Sequence, residues 1–132
     1  MTQSTQSSPM PEGTPSLRTI AMPADTNPAG DVFGGWLISQ MDLAGGVFCR
    51  KIAKGRVVTV TIESTTFKAP VFIGDTLCCY VSLVKIGRTS ITTYIEAYVN
   101  RDFEDTRIKV TEGEFTYVKM DENRKPSPIH QG

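Results

Sequence analysis

One long apolar segment, followed by several alternating ones, limits most strongly what this chain can fold into. The segment GWLISQMDLAGGVFCRKIA, from Gly35 to Ala53, contains no proline and is long enough for about four to five helical turns. Gly55 follows it as a natural C-terminal stop. Apolar side chains cover nearly the whole circumference of this predicted helix, and a helix that is apolar all round is an enclosed one. We therefore expect a single central helix surrounded by other elements.

The segments after this helix have the pattern of strands. RVVTVTIESTTF alternates apolar and polar residues and is rich in β-branched side chains. DTLCCYVSLVKIG, TSITTYIEAYVNR and TRIKVTEGEFTYVKM continue in the same way, separated by the turns IGR and DFED, and LRTIAM precedes the helix. Short connections favour antiparallel neighbours. The sequence predicts an α+β fold in which an antiparallel sheet of about five strands curls around one helix, with Gly45 and Gly46 allowing close approach.

Composition predicts one domain with loose ends. Residues 1–16 are rich in Ser, Thr, Gln and Pro and are predicted to form a disordered arm. Residues 17–120 form the predicted folded domain, and residues 121–132 a flexible C-terminal tail. A chain of 132 residues is long enough to bury a core without metal or disulfide support.

Charge and cysteine content exclude several classes of protein. The 14 basic and 14 acidic side chains cancel, so no electrostatic footprint for nucleic acid or for an anionic membrane is present. No apolar run of about 18 residues and no cationic leader occurs, and we expect a cytoplasmic protein. Three cysteines and a single histidine, His130 near the C-terminus, indicate neither a disulfide framework nor a metal site.

Asp42 is an unexpected ionisable residue in the middle of the apolar helix. Its helical neighbours are mostly apolar or small, namely Ile38, Ser39, Gly45 and Gly46. Such surroundings would desolvate the carboxylate, which suits a general base. A buried structural aspartate held by Ser39, by a threonine or by backbone N–H groups fits the spacing equally well.

Three segments carry a resemblance to a known family: NPAGDVFGGWLISQMD, VVTVTIESTTFKAPVFIGD and VKIGRTS. They resemble the hotdog-fold acyl-CoA thioesterases, especially the bacterial YciA-type branch, and the similarity extends from about Leu17 to Tyr117. It implies dimers that share a continuous sheet, commonly assembled into hexamers as trimers of dimers, with active sites at the dimer interface. It also implies hydrolysis of an acyl-CoA thioester without a cofactor, since coenzyme A is part of the substrate and the product.

Thioester hydrolysis needs an attacking water, a base and donors for the oxyanion. The resemblance favours Asp42 as the base, and the backbone N–H groups of Gly34 and Gly35 are the predicted oxyanion donors, although a glycine pair in a simple turn is the commoner arrangement. Asp42 lies eight positions after Gly34, about 12 Å along a helix. That distance is too great for one carbonyl group. The dimer-interface site that the resemblance implies would bring Gly34 of one subunit to Asp42 of the other.

Several polar residues are weaker candidates for the reaction site. Asn27 is predicted to hydrogen-bond the thioester or the water, with turn formation beside Pro28 as the favoured alternative. Asp31 is predicted to cap the helix. Thr65 is predicted to supply a supporting hydroxyl, the alternative being an exposed strand residue.

The turn KIGRTS is the best candidate for binding the phosphate groups of coenzyme A, because it combines a guanidinium, backbone N–H groups and hydroxyls. Its candidate residues are Lys85, Gly87, Arg88, Thr89 and Ser90. A solvated hairpin is the alternative. Arg56, with Lys54 at the helix exit and Arg124 and Lys125 in the tail, adds further candidates.

Competing functions are judged by what the domain lacks. Its body contains no histidine, which argues against a hydratase of similar fold and against Ser-His or Cys-His nucleophiles, including Cys49. The remaining alternative is a non-catalytic acyl-CoA-binding sensor or assembly module. The sequence does not predict which acyl chains are accepted.

Overall fold

The computed structural model describes residues 10–101 and 106–130. Its strands and helices are, in chain order, β1 Thr14–Ile20, one turn of 3-10 helix Pro23–Asp25, α1 Gly34–Ala53, β2 Val57–Phe67, β3 Thr76–Ile86, β4 Ser90–Asn100 and β5 Arg107–Lys119. The predicted helix and all five predicted strands are confirmed, with boundaries that differ by three residues at most. The predicted DFED turn, at residues 102–105, lies outside the described residues.

The five strands form one antiparallel sheet in the order β1-β3-β4-β5-β2, and α1 packs against all of them. Strand β4 occupies the centre, and its Ile91, Ile95 and Val99, which share one face of the strand, are fully buried. Met41 and Ala44 of α1 complete the same core. One helix held against one antiparallel sheet is the predicted hotdog arrangement, and the fold class is confirmed.

Only one side of α1 is buried in the single chain. Leu37, Met41 and Cys49 face the sheet, whereas Leu43 is 57% exposed and Val47 is 37% exposed. The prediction of a helix enclosed all round is therefore wrong for one chain, because a five-stranded sheet covers one face of the helix and leaves apolar residues on the other.

The two ends of the fold also differ from the predicted boundaries. Strand β1 begins at Thr14, inside the segment that was predicted to be a disordered arm, because residues Thr14 and Pro15 pair with β3. Residues 121–130 are not a loose tail: Ile129 is only 8% exposed and its backbone N–H donates to the carbonyl of Arg88 at 2.8 Å. A single apolar side chain and backbone hydrogen bonds hold this segment on the sheet.

The cysteines are free and buried. Burial raises the pKa of the Cys49 thiol to about 12, so this residue stays protonated in the core. In the described part of the chain, no group of three or more potential ligands is arranged to bind a metal ion. No described helix combines the length and the apolar character that a membrane span requires.

Candidate active site

The carboxylate of Asp42 is fixed by hydroxyl groups of two neighbouring strands. Thr59 of β2 donates to its Oδ1 atom at 2.5 Å, and the hydroxyl of Tyr117 on β5 lies 3.0 Å from the same oxygen. The Tyr117 hydroxyl also lies 2.9 Å from the backbone carbonyl oxygen of Asp42. Oδ2 has no hydrogen-bond partner within the described residues. One carboxylate oxygen is thus held in place, and the other is available to a ligand or a water molecule.

The register of the sheet explains why these hydroxyls meet. Thr59 and Tyr117 are cross-strand partners in the β2–β5 ladder, so their side chains stand side by side on one face. Burial raises the pKa of Tyr117 above its usual range, and the neighbouring Asp42 carboxylate raises it further. The phenol therefore remains protonated and can act as a donor. Gly45, one helical turn after Asp42, leaves the space that the phenol occupies.

Neither Thr59 nor Tyr117 was predicted as a site residue, although a threonine was considered as a structural partner of Asp42. Ser39, the other proposed partner, donates to the carbonyl of Trp36 at 2.7 Å instead. The apolar alternation of β2 indicated which face Thr59 occupies but not its opposite residue. Only the long-range pairing with β5 supplies that information.

Gly34 and Gly35 are the first residues of α1, and no side chain caps this end. Their backbone N–H groups have no hydrogen-bond partner among the described residues, as expected in the first turn of a helix. The positive end of the helix dipole adds to their attraction for a negatively charged oxygen. The prediction that Asp31 caps the helix is wrong: Phe33 is the N-cap residue, and Asp31 pairs through its backbone with Phe72.

An apolar cleft of about 450 Å³ lies beside Gly34. It is lined by Val32, Phe33, Gly34, Leu37, Phe67, Lys68, Ala69, Pro70 and Val71. A Cβ atom on residue 34 would lie 3.2 Å from the ring of Phe67, so a side chain here would have to displace this exposed ring slightly. The cleft could accept an apolar chain whose polar end reaches the free N–H groups.

A buried ion pair fixes the wall of this cleft. Asp75 is 2% exposed and accepts hydrogen bonds from Nε and Nη2 of Arg101 at 3.0 and 2.9 Å, and from the backbone N–H of Phe72 at 2.9 Å. Arg101 Nη2 also donates to the carbonyl of Pro70 at 3.1 Å. Neither charged residue was predicted, because their pairing joins positions 26 apart in the sequence.

Asn27 and Thr65 are not brought to the carboxylate of Asp42 by hydrogen bonds. The side-chain oxygen of Asn27 accepts from the backbone N–H groups of Ala29 and Asp31 at 3.0 and 3.1 Å, which is the turn role considered as its alternative. The Thr65 hydroxyl is buried against Gly113 and has no partner among the described residues. Catalytic roles for both residues remain predictions.

The predicted nucleotide residues lie at one end of the sheet. In the β3–β4 turn, Gly87 donates its N–H to the carbonyl of Ser90 at 2.8 Å. This amide was predicted to be available to a phosphate group, and that prediction is wrong. Lys119 N–H donates to the carbonyl of Thr89, and Met120 N–H to that of Arg56, both at 2.9 Å. These bonds place the β3–β4 turn, the end of β5 and the start of β2 side by side. Arg88 and Arg56, both exposed, therefore share this end with Lys85, Thr89 and Ser90.

Comparison with known proteins settles the relationship. The family model described as the thioesterase superfamily matches residues 29–102, more than half of the chain. The chain belongs to the thioesterase superfamily. Its matched segment includes the entry turn of α1, Asp42, Thr59 and the β3–β4 turn, whereas Tyr117 lies beyond it.

Individual relatives of this thioesterase-superfamily chain are similar to it in sequence over nearly its whole length. The acyl-CoA thioester hydrolase YciA of Salmonella typhimurium is 51% identical over 122 residues, which cover 90% of this chain and 92% of that protein. A hexameric thioesterase from Yersinia pestis is 47% identical with a TM-score of 0.88, covering 92% of this chain and 100% of the other. A hexameric hotdog fold thioesterase of Campylobacter jejuni is 44% identical with a TM-score of 0.83, covering 89% of this chain and 91% of the other. The resemblance noted in the sequence is confirmed.

Proposed function

We propose that this protein hydrolyses acyl-CoA thioesters to free carboxylic acids and coenzyme A. The observation that carries the proposal is the Asp42 carboxylate, with Oδ1 held by two hydroxyls and Oδ2 without a partner among the described residues, on a helix that begins with unpaired N–H groups at an apolar cleft. Relatives that cover nearly the whole chain and are named acyl-CoA thioester hydrolases support it.

Each step of the reaction has a candidate group. Oδ2 of Asp42 accepts a proton from water as the water oxygen attacks the thioester carbon, while Thr59 and Tyr117 keep the carboxylate in orientation. The N–H groups of Gly34 and Gly35 stabilise the negative charge that develops on the carbonyl oxygen. The carbon–sulfur bond then breaks, and the proton on Asp42 passes to the departing thiolate. The products are a carboxylic acid and the free thiol of coenzyme A.

The active unit in this proposal is a dimer. Asp42 and Gly34 of one chain are separated by about 12 Å of helix, so one thioester group cannot contact both. Strand β2 is an edge strand, and its Val58, Val60 and Ile62 are exposed, as is Leu43 of α1. An unpaired edge with an apolar surface suits a second copy of this chain. Hexameric relatives support a trimer of such dimers.

Coenzyme A is proposed to bind with its phosphates at the basic end of the sheet. Arg88 and Arg56 provide guanidinium groups there, and Lys85, Thr89 and Ser90 provide an ammonium and two hydroxyls. A Cβ atom on Gly87 would lie 2.7 Å from Ser90 Oγ, so a larger residue at this position would displace that hydroxyl. A non-catalytic acyl-CoA sensor of the same fold would need no unpaired carboxylate oxygen, so hydrolysis is the favoured function.

The test compares Asp42→Asn with a matched carboxyl variant. Release of coenzyme A from acyl-CoA is followed with a thiol reagent, and we expect Asp42→Asn to lower kcat about a hundredfold or more while the protein stays folded. Glu114→Gln, which changes a carboxyl on β5 three residues from Tyr117, should keep normal activity. Full activity of Asp42→Asn would remove this residue from the mechanism. Binding of acyl-CoA without any release of thiol by the unmodified protein would favour the sensor.

A further inference from the structure

The last described residues fold into a small hairpin. We call residues 120–129 the C-terminal hairpin: Met120 pairs with Pro126, Asp121 N–H donates to the carbonyl of Lys125 at 2.8 Å, and Arg124 N–H to that of Asp121 at 3.1 Å. Arg124 adopts a left-handed backbone conformation with φ of 61° at the turn. The hairpin therefore presents Arg124 and Lys125 at its tip.

The attachment of this hairpin does not use its charged side chains. Ser127 N–H donates to the carbonyl of Lys119 and Ile129 N–H to that of Arg88, each at 2.8 Å, and the Ile129 side chain packs in the core. The Oδ1 atom of Asp121 accepts hydrogen bonds from the backbone N–H groups of Asn123 and Lys125. Arg124 and Lys125 are exposed, and neither forms an ion pair within the described residues.

Cations accumulate where the C-terminal hairpin meets the sheet. A cleft of about 590 Å³ is lined by residues of the helix exit, of β5 and of the hairpin: Lys54, Gly55, Arg56, Lys119, Met120, Asp121, Glu122 and Asn123. Arg88 adjoins the hairpin, because its carbonyl accepts a hydrogen bond from the backbone N–H of Ile129. In a chain of zero net charge, the cleft, the hairpin and Arg88 together carry six cations beside two carboxylates, and these six form no ion pair among the described residues. Such an excess of one sign attracts a multiply charged anion.

We infer that the C-terminal hairpin and the cleft beneath it form a binding site for a nucleotide that carries several phosphate groups, with Arg124 and Lys125 contacting those phosphates. The inference rests on the proposed function, which supplies a ligand of this class: the phosphorylated nucleotide of coenzyme A. The position agrees with that ligand. Arg56 at the cleft lies three residues from Thr59, about 10 Å along β2, and Thr59 contacts the carboxylate of Asp42.

The main experiment measures steady-state kinetics with acyl-CoA, acyl-dephospho-CoA and acyl-pantetheine, three substrates that differ only in their phosphates and nucleotide. In the double variant Arg124→Gln, Lys125→Gln we expect KM for acyl-CoA to rise about tenfold, the scale of one charged hydrogen bond, with kcat unchanged. KM for acyl-pantetheine should stay the same. Arg18→Gln is the matched control, because Arg18 is an exposed cation on β1 at the opposite edge of the sheet.

A second variant tests the role of attachment. Ile129→Asn removes the apolar anchor and keeps every charge, and it should raise KM for acyl-CoA without affecting acyl-pantetheine. An equal change for both substrates in the double variant, no change for either, or an equal change in Arg18→Gln would overturn the inference. Failure of this inference is distinguishable from failure of the proposed function. If the protein hydrolyses no thioester, binding of coenzyme A itself is measured by calorimetry. Equal affinity of the unmodified protein and the double variant for coenzyme A would overturn the inference.

Discussion

The phenol of Tyr117 fills the space in which a side chain of residue 45 would lie. A Cβ atom built on Gly45 would overlap the phenol oxygen and would lie 2.7 Å from the adjoining ring carbon. The same oxygen contacts both the carboxylate and the backbone carbonyl of Asp42. Glycine at position 45 is therefore a condition for the hydrogen bonds that orient the candidate base.

Replacing Gly45 and Gly46 with alanine should have opposite effects. Gly45→Ala forces Tyr117 away from Asp42, so we expect a lower melting temperature and a fall in kcat of at least tenfold. A Cβ atom on Gly46 has open space around it, and Gly46→Ala should stabilise the helix by up to about 1 kcal/mol. Thermal unfolding and acyl-CoA turnover check both. If the two variants behave alike, the contact between Gly45 and Tyr117 is not what requires glycine.

Tyr117→Phe isolates the hydroxyl from the ring. The ring keeps its packing, but Asp42 loses one donor, and unfolding should become easier by about 1 kcal/mol, the usual net value of one hydrogen bond. We expect kcat to fall with little change in KM, because the hydroxyl orients the base and does not bind the substrate. Kinetic measurements on Tyr117→Phe and Thr59→Val check this. A rise in KM alone would show that the hydroxyls act in binding.

Local patterns predicted the elements, and long-range pairing decided the site. The helix was predicted from Gly35 to Ala53 and is observed as Gly34–Ala53, because apolar periodicity is a local signal. Asp42 stood out for the same reason, as a charge in an apolar run. The residue that ends the helix in the left-handed conformation is Lys54, however, and not the predicted Gly55. Thr59 and Tyr117 are 58 positions apart, and the residue pattern of neither strand predicts that β2 pairs with β5.

The C-terminal end shows a second limit of sequence patterns. Ile129 stands alone among polar residues and proline, so no periodicity indicates that it packs in the core. Its burial depends on where the β3–β4 turn places the carbonyl of Arg88. A helix enclosed all round was likewise predicted from local pattern alone, whereas Leu43 and Val47 are exposed among the described residues.

Acid should weaken an ion-pair cluster on the sheet face opposite the helix. Hydrogen bonds from Lys109 and then from Tyr94 lower the pKa of Glu112 to about 2 from its ordinary 4.5. A depressed folded-state pKa stabilises the protein fully above the unfolded value and loses that effect as the pH falls through the folded value. Lys109 also contacts Glu96 at 2.9 Å, and Lys68 lies 3.5 Å from Glu112.

Urea unfolding at several pH values measures this effect. The difference in unfolding free energy between the unmodified protein and Glu112→Gln should shrink as the pH is lowered from about 7 to about 3, because the carboxylate becomes protonated in the unfolded chain first. Glu114→Gln is the control, because it removes a carboxylate from the same strand without breaking any ion pair among the described residues. A constant difference for Glu112→Gln would mean that the cluster does not depress this pKa.

Subunit complementation tests whether Asp42 and Gly34 act across an interface. One chain carries Asp42→Ala, and the other carries Gly34→Pro, which removes the backbone donor at a helix position where proline is tolerated. The ring of Phe67 beside Gly34 is more than half exposed and can move to accept the proline. Each variant must first be shown to be folded and inactive by itself.

In a mixed dimer of these two chains, one site carries both lesions and the other carries neither. Activity should therefore return after subunit exchange, up to about half of the normal value per mixed dimer, since one of its two sites is intact. Exchange is followed independently with differently tagged chains. If mixed dimers form and no activity returns, the base and the oxyanion donors must meet within one chain, which the roughly 12 Å between Asp42 and Gly34 along α1 does not permit without unwinding the helix.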